Sequence, residues 1–152
     1  MAPWGRAGLV LALVVAVDQV TKRLVRAGLS PGDENPILPG VKLVHVRNKG
    51  IAFGALGGGG VVVVIVIALA LCALVVYFAR HSSRPLAWLP TGLLIGGALG
   101  NIVDRLRDGA VTDFVKLPAW PAFNVADVAI TFGVLSLLYV LERSDGASGE
   151  RG

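Results

Sequence analysis

The chain has 152 residues, of which 55% are hydrophobic and only 16% charged, with a mean hydropathy of +0.73. A soluble domain is usually about a quarter charged, so a soluble enzyme core is excluded, and the chain is too apolar for disorder. One cysteine, Cys72, excludes a disulfide scaffold, and the net charge of +4 (pI about 9.7) comes without the basic run and interleaved aromatics of a nucleic-acid binder.

Crossing about 30 Å of hydrocarbon takes roughly 20 helical residues, and four apolar blocks come close to that length. The first runs from about 7 to 25. Its uninterrupted part, Leu9–Val17, is as short as the core of a secretory signal. Apolar residues resume at Val20, Leu24 and Val25, so the block reads as a span carrying Asp18, Gln19, Thr21 and Lys22 in its last third. The long connection 27–60 holds Pro31, Pro36, Pro39 and the run Gly57–Gly60, with a short strand predicted over Val41–Val46. The second span, 61–79, is almost purely Val, Ile, Leu and Ala, and Cys72 within it reads as a packing residue. A short basic turn, Arg80–Pro85, leads to the third span, 86–103. There Gly92, Gly96 and Gly100 line one helix face, which predicts close helix packing. Residues 104–121 read as a polar loop. The fourth span, 122–141, carries Asn124, Asp127 and Thr131, and 142–152 read as a disordered polar tail. The expectation is one all-α membrane domain over 1–141 with four transmembrane helices.

Four spans place both termini on one side. Arg6, Arg80, Arg84 and Arg143 mark that side, and a larger set of cations marks the other, so charge bias leaves the orientation open.

Ionisable groups in or near spans are costly and are functional suspects. Here they are Asp18, Lys22, Asp104, Arg105, Asp113 and Asp127, all toward the long-loop side. Asp18 and Lys22 stand i,i+4, acid first, the favourable order for an ion pair; a support or substrate-contact role is the alternative. Asn101 and Arg105 are also i,i+4, and Arg105 reads either as a ligand for a carbonyl or phosphate or as an interfacial anchor paired with Asp104 or Asp108. Asp127 shares a helix face with Asn124 and Thr131, which reads equally as a buried polar patch. Asp113 alone reads as a solvated loop acid. If Asp113 and Asp127 converge, they cannot both ionise easily, and such a pair supplies one acid and one base to activate water without a metal or cofactor. His45 and His81 fall on opposite sides, and HExxH, GxSxG and P-loop motifs are absent.

Four segments carry a family resemblance. They are Asp18-Gln19-Val20-Thr21-Lys22; Asn48-Lys49-Gly50-Ile51-Ala52-Phe53-Gly54; Gly96 through Arg105 with Val111-Thr112-Asp113-Phe114; and Phe123-Asn124-Val125-Ala126-Asp127. Together, in this order over roughly residues 7–141, they resemble the lipoprotein signal peptidases (signal peptidase II), bacterial membrane aspartic proteases. The resemblance implies that Asp113 and Asp127 are the catalytic aspartates, cutting prolipoproteins before their diacylglyceryl-modified cysteine. It implies that Asn101, Arg105 and Asn124 surround the dyad, and that Asp18, Lys22 and Asn48 line the site. It further implies a small β-cradle between the first two spans, cytoplasmic termini, a site near the outer face of the bacterial cell membrane, contact with membrane lipid, and inhibition by globomycin. The compact stretch Lys116–Trp120 and the run Gly57–Gly60 depart from the family pattern without touching its motifs. Two other readings remain. A proton-coupled transporter would also use membrane acids, but the second span offers no ionisable path. A lipid-head-group transferase would begin with Asp108-Gly109-Ala110, but no run of spaced acids follows.

Overall fold

The computed structural model describes residues 1–50, 59–82 and 84–149. Among them are four helices, α1 (Pro3–Gly28), α2 (Gly59–His81), α3 (Trp88–Asp108) and α4 (Val125–Gly149), and three strands, β1 (Glu34–Leu38), β2 (Val41–Asn48) and β3 (Val111–Lys116). The Gly57–Gly60 run and the second half of the Asn48–Gly54 segment lie largely outside the described residues.

Helix α3 is the centre: α1 and α4 pack along it, and α2 touches it more lightly. Its glycines make the approach possible. A Cβ on Gly92 would lie 2.7 Å from the Ala7 carbonyl oxygen, one on Gly96 2.9 Å from Val14 Cβ, and one on Gly100 2.5 Å from an Asp18 carboxylate oxygen. The four-residue glycine face is thus the seat of α1. Gly97, one residue round, seats α4 against the Ala126 carbonyl. At the far end of the bundle Ala7, Phe78, Ala87 and Val140 form a small apolar cluster, with Trp4 edge-on to Phe78 at 4.6 Å.

The helices are apolar outside and polar inside. On α1, Leu9, Leu13, Val17, Val20 and Leu24 form one exposed stripe, whereas Asp18 and Lys22 are completely buried. On α4, Phe132, Leu135, Leu138 and Tyr139 are exposed. That arrangement suits a hydrocarbon surround, where apolar surface costs nothing and polar groups must find partners within the protein. It also explains the hydropathy. Among the described residues only Val125–Arg143, with a mean hydropathy of 1.8, is long and apolar enough to cross a membrane by composition, and Leu69–His81 is a shorter apolar stretch.

The three strands form one antiparallel sheet in the order β1-β2-β3. The strand expected at Val41–Val46 is β2, extended to Asn48. Strand β1 contains Pro36, which is tolerated because β1 is an edge strand and its missing N–H breaks no ladder. Three expectations are corrected. The stretch 104–121 is not simply a polar loop: α3 continues to Asp108, Gly109 closes it in a left-handed conformation (φ 68°), and β3 follows. The sheet is therefore not built only between the first two helices; its third strand comes from the α3–α4 connection. An acid at the middle of a strand masked the β signal of Val111, Thr112, Phe114 and Val115, since Asp is poorly represented in strands. Helix α4 also continues past 141 to Gly149, into the stretch read as a tail.

Candidate functional site

The site is where α1, α3, β3 and the start of α4 meet. It has two linked layers. The lower layer is an ion network around Lys22, whose Nζ lies 2.9 Å from Asp18 Oδ2, 3.0 Å from Asp104 Oδ2 and 2.9 Å from Asn101 Oδ1. All four residues are buried. The other Asp18 oxygen accepts the Ala126 N–H at 3.0 Å, so this carboxylate of α1 sits on the first turn of α4. A negative charge there is favoured by the helix dipole. Asp104 accepts the Thr112 N–H at 3.0 Å and so fixes the start of β3 to the end of α3. Gln19 closes the layer, donating to Asp18, Asp104 and the Gly100 carbonyl at 3.1 Å each.

The upper layer holds the two candidate acids. Asp113 is on β3, and strand alternation puts it on the face opposite Thr112. Its carboxylate accepts Asn48 Nδ2 at 2.8 Å and Asn124 Nδ2 at 2.7 Å. Asp127 is in the first turn of α4. It accepts Asn101 Nδ2 at 3.0 Å and the Asn124 N–H at 3.1 Å, while Asn124 Oδ1 accepts the Asp127 N–H at 3.0 Å. That last exchange is a capping box with Asn124 at the N-cap, the local reason α4 starts where it does. Asn124 Nδ2 also reaches Asn101 Oδ1 at 3.1 Å. Asp113 is therefore held by Asn124 and Asn48, Asp127 by Asn101 and Asn124, and Lys22 orients the Asn101–Asn124 pair from below.

Asp113 is only 2% exposed. Burial, helped by the nearby Asp127 charge and opposed by the hydrogen bonds from Asn48 and Asn124, raises its carboxyl from 3.8 to about 6.

Asp18, Lys22, Asn48, Asn101, Asn124, Asp113 and Asp127 are thus brought into one connected network. Arg105 lies at its margin, half-buried, with Nη1 3.4 Å from the Asn101 carbonyl. Asp104 and Asp108 each lie 3.7 Å from Arg26. The reading of Asp113 as a solvated loop acid is corrected: it is a buried strand residue, because β2 pairs along β3 and closes over it. Sequence reasoning gave no weight to Thr112 or Arg26, whose Nη1 donates to Thr112 Oγ1 at 3.1 Å. The i,i+4 continuation Asp18, Lys22, Arg26 was the available signal. A cavity of about 570 Å³ lined by Arg26, His45, Arg47 and Thr112 lies behind the sheet, on the face away from Asp113.

Inward polar residues, an outward apolar surface and a buried polar centre define an integral membrane protein with an enclosed site. Residues 10–142 match the family described as Signal peptidase (SPase) II. The lipoprotein signal peptidase of Moorella thermoacetica is 41% identical over 93% of this chain and 95% of its own, and that of Symbiobacterium thermophilum is 45% identical over 83% and 88%. A solved bacterial membrane enzyme superposes with a TM-score of 0.86 at 31% identity, covering 97% of this chain and 94% of that one. The chain belongs to the signal peptidase II family of membrane proteases. That membership does not favour the transporter reading.

Proposed function

We propose that this protein removes signal peptides from prolipoproteins by cutting before the diacylglyceryl-modified cysteine, with Asp113 and Asp127 as an aspartic dyad. The observation that carries this reading is the asparagine bridge. Asn101 and Asn124 bond to each other at 3.1 Å, and each holds one carboxylate.

In this mechanism Asp113, whose carboxyl titrates near 6, is the acid, and Asp127 is the base. Asp127 takes a proton from water as the water oxygen attacks the scissile carbonyl carbon. Asp113 gives its proton to the carbonyl oxygen. Collapse of the tetrahedral intermediate breaks the C–N bond; the proton on Asp127 passes to the leaving amine, and the gem-diol returns a proton to Asp113. Asn101, Asn124 and Asn48 orient the carboxylates, Lys22 and Asp18 hold the scaffold beneath, and Arg105 contacts substrate at the rim. Four spans with cytoplasmic termini put the site at the outer face of the membrane. There the acyl chains and apolar signal helix of the substrate hold the scissile bond at the right depth, which supplies proximity. Globomycin-type inhibitors would compete at this site.

The test is cleavage by purified protein, with a chelator present, of a lipid-modified precursor and its unmodified twin. The expected result is cleavage of the lipidated form alone, with Asp113→Asn and Asp127→Asn each losing about 10²–10⁴-fold in rate while remaining folded. Near-full turnover in either variant overturns the dyad.

A further inference from the structure

The sheet ends in two adjacent tips. One is the β1–β2 turn at Pro39–Gly40. The other is the turn after β3, where the Trp120 N–H donates to the Leu117 carbonyl at 3.3 Å. Lys42 pairs with Lys116, so both tips project from the same end of the sheet, and a Cβ on Gly40 would lie 3.5 Å from Pro118 Cγ. On these tips and the adjoining edge strand Ile37, Leu38 and Trp120 are 54%, 64% and 64% exposed. Most other large exposed apolar side chains belong to the helices, whose outer surface lipid covers. These three belong to one end of the sheet and its loops, and exposed large apolar side chains grouped at one end of a sheet mark an interaction surface.

Two observations identify the occupant. Trp120 stands just before Val125, where the long apolar stretch of α4 begins, so this tip is near the level at which the chain enters hydrocarbon. Lys42 and Lys116 flank the tips and share a single anion, Glu34, at 2.8 and 2.7 Å, which leaves the group net positive toward anionic head groups. An indole, apolar in body with one N–H to place in the wet layer, is the side chain suited to that boundary. We propose that Ile37, Leu38 and Trp120 insert together into the head-group region of the bilayer and anchor the sheet to it. Asp113 lies on the strand that leads to Trp120, so the anchor sets the height of that strand over the membrane. This inference rests on membrane residence and is independent of the dyad.

The test uses the full chain in vesicles of phosphatidylcholine and phosphatidylglycerol. The emission of Trp120 is the difference between the wild type and Trp120→Phe. Brominated lipids, labelled at shallow or deep acyl positions, and aqueous iodide are the quenchers. Shallow bromines are expected to quench Trp120 more than deep ones, with iodide several-fold less effective than on a free indole. Leu38→Asp, at an exposed position, is expected to raise iodide quenching several-fold. Quenching by iodide without any by bromolipid, quenching by neither (a tip covered by protein, as in a second copy), or no response to Leu38→Asp would each overturn the proposal.

Discussion

Lys22→Met tests whether the ion network is as dry as its geometry states. Lys22 and Asp18 are fully buried and Asp104 is 1% exposed, so the ammonium is the close counter-charge to two carboxylates cut off from water. Methionine fills nearly the same volume, so little of any loss can come from a cavity. What remains is buried charge without its partner. Breaking one buried pair costs about 3–5 kcal/mol, a factor of roughly 10²–10⁴ in the folded fraction. Arg26 at 3.7 Å offsets part of this at Asp104 but does not reach Asp18. The assay is reversible unfolding in mixed micelles, followed by helicity as the fraction of denaturing detergent rises. A companion variant, Asp18→Asn with Lys22→Met and Asp104→Asn, removes the three buried charges together, leaves Arg26 with Asp108, and should recover most of the loss, because a neutral network needs no counter-ion. A loss below about 1 kcal/mol for Lys22→Met, or a companion variant no more stable than the single one, would refute the reasoning.

Other predictions follow from the same geometry. Gly100→Ala puts a methyl 2.5 Å from Asp18 Oδ2 and should cost about 1–3 kcal/mol, as overpacking does, whereas Gly8→Ala, a helix-interior position with open space around it, should not destabilise and should gain up to about 1 kcal/mol in the same titration. Because Asp113 must stay protonated to act as the acid, kcat/KM should fall about tenfold per pH unit above about 6, read from initial rates on lipidated precursor. The sign for stability agrees: a carboxyl raised from 3.8 to about 6 keeps its proton in the folded state, so its contribution is full below 3.8 and is lost as pH rises through 6. Glu34→Gln should leave the melting temperature near neutral pH unchanged, although Lys116 and Lys42 pull that carboxylate down to about 2, because the group is solvated.

The sequence by itself determined the membrane class, the presence and order of the four helices though not the ends of α3 and α4, the close-packing glycine face and the family, because these depend on composition, period and local motif. The pairing of Asp18 with Lys22 was equally legible, being a contact within one turn, whereas the start of α4 was read at 122 and is set by the exchange between Asn124 and Asp127. Only the tertiary structure decided that α1 turns its charges onto α3 and α4, so that its mean hydropathy understates how apolar its outer face is. The same holds for β3: Asp113 reads as a loop acid until β2 pairs beside it and excludes water, and the hydrogen bonds that link it through Asn124 and Asn101 to Lys22 cross from the last helix to the first. Such contacts follow from which faces bury together, and a one-dimensional pattern fixes which residues share a face but not which face it will meet.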